Sequence, residues 1–482
     1  MLGYLTRRYT WFSVAILALA CFNVTFRLDR ESVGEWDESL FATTAWEMTQ
    51  SGELVRTTFD GTPDYYNTKP PLNVWILAAT FSLLGTSLLS LRLPSAAFGW
   101  LTVWVLQRWT KRAFGPVVAL FSSLVLASAF GFLHEHSARS GNADALLSLL
   151  LLLAVVVLWE ARDDSRPLVW LGPILAGVFL LKGMAVLQPL LFVVIGLMAQ
   201  RGTTSASRRR PLAIAAAIFL LSVGTWVVAR WLVDGSRFFR LMLLNDLLGV
   251  SLTQLEGHEH GLLFYVDVLQ RYHYEWLGAG AIVALVEWRS WPAWAKEAAG
   301  SLRRREPLAV IVVAWALTTF ALPSFMQTRV LWYLNPFYPL FALLVGLVVA
   351  RGLAASGPSA VGRRRMIVAA VVLALVVAES KSLWRLYRVT NLDTSVQGLL
   401  LAHMRDGARQ RVFRDRHIRS EAFVVRALGH AEFRVVASVA TGRGTLPPDA
   451  RVGDLVVTSG PRSAAGLRLL GQADGHSVYR VE

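Results

Sequence analysis

The chain has 482 residues, 54% of them apolar, with a mean hydropathy of +0.46, and its apolar runs recur as far as Ala378, which excludes a soluble globular protein. A formal charge of +15 would suggest nucleic acid in a soluble domain. The arginines, however, collect in short loops between apolar runs, the distribution that membrane insertion imposes on cytoplasmic loops, so nucleic-acid binding is set aside and the bilayer is the expected partner.

Arg7-Arg8 precede an apolar stretch from Trp11 to Phe26. It is long for a signal-peptide core, and no small-x-small cleavage site follows before Asp29-Arg30-Glu31, so it is expected to remain as a first span with the amino terminus in the cytoplasm. It holds the one cysteine, Cys21, which can form no internal disulfide. Residues 29–71 then carry nine carboxylates against three basic residues, as an extracytoplasmic loop should. Within that loop Leu40, Phe41, Ala45 and Met48 recur at helical spacing and predict a short helix along the membrane interface, ended by Ser51-Gly52.

Hydropathy offers two segments between Leu72 and Gln107, broken near Gly85 and at Arg92-Leu93-Pro94, and further runs up to Ile367–Ala378. The total is about eleven to thirteen transmembrane helices. The arginine runs at Arg208, Arg303 and Arg363 belong in the cytoplasm, and counting from them puts Lys69, Asp144, Lys182, the loop 233–275 and the tail after Glu379 outside. That count needs an odd number of crossings between Leu72 and Gln107 where hydropathy offers two. We take the region as one span plus a re-entrant or interfacial piece.

From about Asn391 the composition becomes that of a small α/β domain, with strands expected at Phe433–Val439, Asp454–Thr458 and Ser477–Val481 and a loop at Thr445–Pro448. The expected fold class is therefore an all-α polytopic membrane protein over residues 1–388 with an extracytoplasmic α/β domain over 389–482. No internal repeat is evident, which weighs against an inverted-repeat transporter.

The chemistry concentrates in Glu35-Trp36-Asp37-Glu38 and in Tyr65-Tyr66-Asn67-Thr68-Lys69-Pro70-Pro71-Leu72. A solvated acidic loop and a snorkelling lysine are the bland explanations. Against them, Trp36 suits an interface, a partly desolvated carboxylate becomes a competent base for a hydroxyl group, and Pro70-Pro71 hold Lys69 on a rigid lead into the next helix. A cation beside a carboxylate is what displacement at a phosphate-linked carbon requires. Further on, Gly257-His258-Glu259-His260 makes His258 and His260 candidates for a divalent metal, although a loop histidine is usually only solvated.

Trp36-Asp37-Glu38, Glu47-Met48 before Ser51-Gly52, Lys69-Pro70-Pro71-Leu72, Arg92-Leu93-Pro94-Ser95, Arg139 with Asp144, and Leu181-Lys182-Gly183 follow in an order and spacing that resemble a known family. It is the bacterial membrane glycosyltransferases related to protein O-mannosyltransferases, especially the lipid A aminoarabinose transferase type, and the resemblance covers roughly residues 10 to 350. It implies a GT-C fold, an inner-membrane location, a polyprenyl-phosphate sugar donor, and an acceptor lipid, glycan or protein on the outer face. By that resemblance Asp37, helped by Glu38, is the catalytic carboxylate and Lys69 binds the donor phosphate. Arg139, Asp144 and Lys182 join a polar set around the cavity, with an Asp144–Lys182 structural ion pair as the alternative. His258 or His260 and Tyr265 approach the site from the second loop, and Arg329 and Tyr333 make a second phosphate contact. The expected reaction is a single displacement, and since no second nucleophile is evident in the sequence, direct in-line attack is expected to invert the anomeric centre.

The sequence departs from that type in having Leu40 and Trp46 where arginines are usual, and Thr68 where a glutamate is usual. The resemblance thus implies the general reaction rather than the sugar. A lipid-linked sugar flippase, an O-antigen-ligase-like oligosaccharide transferase and an inactive paralogue stay open as alternatives.

Overall fold

The computed structural model describes residues 2–199, 205–249, 260–355, 360–405, 410–436, 447, 449–461 and 466–482. The expectations for His258 and Glu259, and most of the loop at Thr445, lie outside the described residues. The first apolar run forms the helix Tyr9–Thr25, and it stops where Arg27 takes a left-handed φ of 54° and Leu28–Arg30 winds a tight turn. Seven helical stretches among the described residues, from Tyr9–Arg30 to Val361–Val389, are long and apolar enough to cross a bilayer. Other apolar runs form shorter helices, such as Pro116–Ala127 and Asp144–Glu160. The chain is a multi-span membrane protein.

Both segments between Leu72 and Gln107 are helical. The first, Leu72–Leu84, has 13 residues, which at about 1.5 Å per residue reach about 20 Å, short of a hydrocarbon core of about 30 Å. Gly85, at φ 77°, ends it, and the 27-residue helix Leu88–Phe114 that follows has ample length to span. Only one of the two apolar runs therefore has the dimensions of a crossing. Buried apolar side chains of Tyr9–Thr25, Leu88–Phe114, Pro116–Ala127, Asp144–Glu160 and Tyr338–Ala354 share one large core.

Beyond the last long helix the chain builds a mixed five-stranded sheet. Its strands are β1 (Arg411–Arg414), β2 (Glu432–Val435), β3 (Leu455–Ser459), β4 (Leu467–Ala473) and β5 (His476–Val481), in the order β2-β1-β3-β5-β4. β1 runs parallel to β2 and β3, while β5 pairs antiparallel with β3 and β4. A parallel pair needs a crossover, and the helix Arg419–Phe423 lies in the one between β1 and β2. This α/β unit docks on the segment ahead of Asp37. The Val33 amide donates to Gln397 at 2.8 Å, the Gln397 amide returns a bond to the Val33 carbonyl at 2.9 Å, and Ser32 N–H reaches Thr390 O at 2.8 Å.

Candidate active site around Asp37

The helix Asp37–Ser51 begins after Trp36, whose φ of −95° and ψ of −103° are not helical, and it ends at Gly52 with a left-handed φ of 72°. Asp37 and Glu38 occupy its first turn, where unpaired backbone N–H groups favour carboxylates. Leu40 and Phe41 bury the opposite requirement of the same helix, its apolar anchorage. Leu40, at 4% exposure, is a core residue, so the position that carries arginine in the resembled type here only packs.

The two carboxylates have different circumstances. Glu38 is 5% exposed and accepts four hydrogen bonds: from Arg92 Nε at 2.8 Å, Arg92 Nη2 at 3.1 Å, Gly34 N at 2.8 Å and Gly141 N at 2.9 Å. Its oxygens are filled by the fold. The expectation that Glu38 assists as a base is corrected on this ground, because a base needs a lone pair facing the substrate. Asp37 keeps its side chain 24% exposed and has the Lys69 ammonium 3.7 Å from one oxygen and His136 Nδ1 3.9 Å from the other. Burial pushes the Asp37 carboxyl up, but Lys69 foremost, then His136 in its protonated form and Lys182, outweigh it and hold the group below its ordinary value.

Lys69 is delivered by a short chain of local structure. The Asp64 carboxylate accepts from the backbone N–H of Tyr66 at 2.9 Å and of Asn67 at 3.1 Å, turning the chain just before Lys69. Pro70-Pro71 then lead directly into the helix Leu72–Leu84. From the other side, the helix Leu171–Lys182 stops at Gly183, whose φ of 54° and ψ of −118° suit glycine alone, and a side chain there would meet Pro70 and Met242. This brings Lys182 into the neighbourhood of Lys69. Lys182 pairs with Asp144 at 2.7 Å, the two side chains being 13% and 3% exposed. The ion-pair alternative for these two residues is what the structure contains; the Lys182 charge still acts on Asp37, and both charges act on His136.

His136 and Trp332 were not singled out in the sequence, and the structure brings both to Asp37. The imidazole stacks on the Trp332 indole with ring centres 3.9 Å apart and planes at 16°. Trp332 belongs to the turn Leu331–Phe337, so the stack joins the Arg329–Tyr333 region to the Asp37 loop. The only sequence signal for His136 was its place three residues before Arg139.

The other expected residues are held by contacts of their own. Arg139 is 3% exposed and its guanidinium binds Glu31 Oε1 at 2.9 and 2.6 Å, Asn23 O at 2.6 Å and Phe26 O at 2.8 Å, which makes it a clamp on the first loop. Tyr265 is fully buried, with its hydroxyl donating to Val330 O at 3.2 Å. That bond holds the strand of chain carrying Arg329. Arg329 donates to Ser324 O at 2.9 Å and to His260 O, and Tyr333 is half-buried. The exposed His260 stacks on Phe264, ring centres 4.0 Å apart. Among the described residues no group of three or more His, Cys, Asp and Glu gathers as a metal site. His258 lies outside the described residues.

The comparisons with known proteins follow this geometry. Residues 68–228 match the family model described as dolichyl-phosphate-mannose-protein mannosyltransferase. An undecaprenyl phosphate-alpha-4-amino-4-deoxy-L-arabinose arabinosyl transferase of Pseudomonas fluorescens is 26% identical over 339 residues, 68% of this chain. The chain spans 55% of that relative's length. A putative mannosyltransferase of Bacillus subtilis is 27% identical over 201 residues, 41% of this chain and 28% of its own. Among solved structures, ArnT from Cupriavidus metallidurans bound to undecaprenyl phosphate superposes with a TM-score of 0.71 over 98% of both chains at 17% identity. The chain has the GT-C fold, and in sequence it resembles the PMT and ArnT-like transferases. An archaeal oligosaccharyltransferase from Archaeoglobus fulgidus shares the GT-C arrangement more distantly, with a TM-score of 0.53 over 95% of this chain and 70% of its own at 11% identity. The GT-C fold expected from the ordered motifs is thus present, with the α/β unit attached to its carboxyl-terminal end.

Proposed function

We propose that this GT-C chain transfers a sugar from a polyprenyl-phosphate donor to the hydroxyl of an acceptor lipid, glycan or protein on the outer face of the bacterial inner membrane. The observation that carries the reading is the Asp37–Lys69 pair, a partly exposed carboxylate and ammonium 3.7 Å apart, in the first turn of the helix Asp37–Ser51 and just ahead of the helix Leu72–Leu84. The aminoarabinose transferase relative and the solved neighbour bound to undecaprenyl phosphate support a polyprenyl donor. The acid-rich loop before Lys69 and the arginine-rich loops at Arg208, Arg303 and Arg363 support the outward orientation of the site and of the α/β unit.

In this reading Asp37 accepts a hydrogen bond from the acceptor hydroxyl and orients its oxygen toward the anomeric carbon. Lys69 stabilises the charge that grows on the departing phosphate, with Arg329 and Tyr333 as its proposed second contacts. A phosphate monoester dianion is a weak base, so its departure needs no general acid. Asp144 and Lys182 hold the local field, and attack in line with the leaving group inverts the anomeric centre.

The test is release of polyprenyl phosphate from a panel of polyprenyl-phosphate monosaccharides by the full-length protein in proteoliposomes. Release with one donor, dependent on an acceptor fraction, supports the transferase. Transbilayer movement of intact lipid-linked sugar without release would replace it with a flippase.

A further inference from the structure

His136 lies in a left-handed backbone conformation, φ 55°, uncommon outside glycine and kept only where the surroundings impose it. The surroundings are tight. Its neighbour Glu135 pairs with Arg385 at 2.8 Å through its carboxylate and accepts from Asn335 Nδ2 at 2.9 Å through its carbonyl. On the other side Arg139 N–H donates to Leu133 O at 3.1 Å, while the Arg139 side chain is clamped on Glu31. The ring is pressed on Trp332, and Nδ1 is buried with no hydrogen-bond partner, 3.9 Å from Asp37 Oδ2. A distance of 3.9 Å is too long for a direct bond. It leaves room for one hydroxyl oxygen about 2.8 Å from both atoms, whose single proton bonds to Asp37 first and turns to Nδ1 as the reaction proceeds.

We propose that His136 is a further catalytic residue of this site, taking the acceptor's proton on Nδ1 while Asp37 stays ionised beside it. The inference rests on the transferase reading above. As the acceptor oxygen bonds to the anomeric carbon, its O–H bond breaks and the proton passes to Nδ1. The bond from the anomeric carbon to the phosphate oxygen breaks, and its electron pair leaves on the polyprenyl phosphate. The imidazolium formed faces the Asp37 carboxylate, so the product state is an ion pair and not an isolated charge.

The groups around the ring fit that role. Burial holds the imidazole below its ordinary value; Asp37, Asp144 and Glu135 act the other way, and Lys182 adds to the depression. Trp332 contributes no charge, and Lys69 stands behind Asp37. The ring is therefore neutral at pH 7, with a lone pair to offer. Asp37, held acidic by the neighbouring cations, is a poor resting place for the proton.

The test uses the full-length protein in proteoliposomes with its accepted donor, comparing wild type with His136→Asn and His136→Gly. Both replacements accept a left-handed backbone, and neither takes a proton. The expected result is a loss of about 100-fold or more in kcat/KM with an unchanged donor KM. In wild type the rate falls as pH drops through the imidazole's value below 6.5, and in the variants that acidic limb disappears. Added imidazole restores part of the rate in His136→Gly, by filling the space on Trp332. Wild-type rates in the variants, or an equal loss at every pH with the acidic limb in place, overturn the proposal. If wild type releases no polyprenyl phosphate from any donor, the transferase reading fails and the proton role falls with it.

Discussion

Arg92 grips Glu38 with two hydrogen bonds, 2.8 Å from Nε and 3.1 Å from Nη2, and spends the rest of its guanidinium on the carbonyls of Leu28, Glu31 and Ser32. One side chain of the Leu88–Phe114 helix thereby ties down the whole loop from which Asp37 projects. Both partners are almost wholly buried, with side-chain exposures of 2% and 6%. Removing one partner leaves the other as an uncompensated buried charge.

Arg92→Leu is accordingly expected to cost about 3–5 kcal/mol of stability. Glu38→Gln should also destabilise, because an amide cannot answer two guanidinium donors and two backbone N–H groups with acceptors alone. Thermal unfolding of the detergent-solubilised protein checks both. If Glu38→Gln unfolds at the wild-type temperature while abolishing turnover, Glu38 is a reacting group and its structural assignment is wrong.

Asp37 and Lys69 should fail in different ways. Asp37→Asn retains shape but loses the charge that orients the acceptor, and kcat is expected to fall about 100-fold or more with donor KM nearly unchanged. Lys69→Ala removes a cation from the phosphate, so donor KM should rise together with a fall in kcat, and Lys69→Arg should recover part of both. Steady-state kinetics at saturating acceptor separates the two patterns. Equal effects of both substitutions on KM alone would remove Asp37 from the chemistry.

Glu35 caps the helix Arg419–Phe423 of the α/β unit. Its carboxylate accepts from Arg419 N at 2.9 Å, Ser420 N at 3.1 Å and Ser420 Oγ at 2.6 Å, while the Arg419 guanidinium lies 4.8 Å from the Trp36 ring centre. Glu35→Ala should loosen this contact by about 2 kcal/mol. Faster proteolysis within the α/β unit, with the helical bundle intact, is the expected readout. Unaltered proteolysis would show that the Val33–Gln397 bonds suffice alone.

Glu421 sits in that same helix, and burial pushes its carboxyl up to about 7, with Glu35 and Asp415 adding to the shift and Arg414 opposing it. A carboxyl raised above its ordinary 4.5 contributes stability that is full below pH 4.5 and lost as pH rises through about 7. Docking of the α/β unit should therefore weaken as pH rises from about 4.5 to about 7. Hydrogen exchange over residues 411–428, corrected for intrinsic rates, should speed up across that interval in wild type and not in Glu421→Gln. The same acceleration in both proteins would sink the assignment.

Much of this molecule is legible from local pattern. Apolar runs announced the helices, because a bilayer admits only backbone that satisfies its own hydrogen bonds. Leu40, Phe41, Ala45 and Met48 announced the helix Asp37–Ser51 by spacing, and Lys69-Pro70-Pro71 announced a cation fixed at a helix start. In the α/β unit, three strands were visible as apolar runs, whereas β1, with arginine at both ends, and β4, interrupted by Gly471, were not.

What the sequence by itself determined is the helical architecture of a multi-span membrane protein and a carboxylate and a lysine each fixed at a helix start. Only the tertiary structure decided which carboxylate is free. Asp37 and Glu38 are adjacent and alike in the chain, and they differ because Arg92, 54 residues on, reaches one of them. Arg139 was drawn to Glu31, 108 residues away, and His136 to Trp332 and Asp37. Local pattern records which face of an element is apolar. It holds no record of which distant donor will fill a given lone pair, since that choice is made when helices pack and every buried polar group must find a partner.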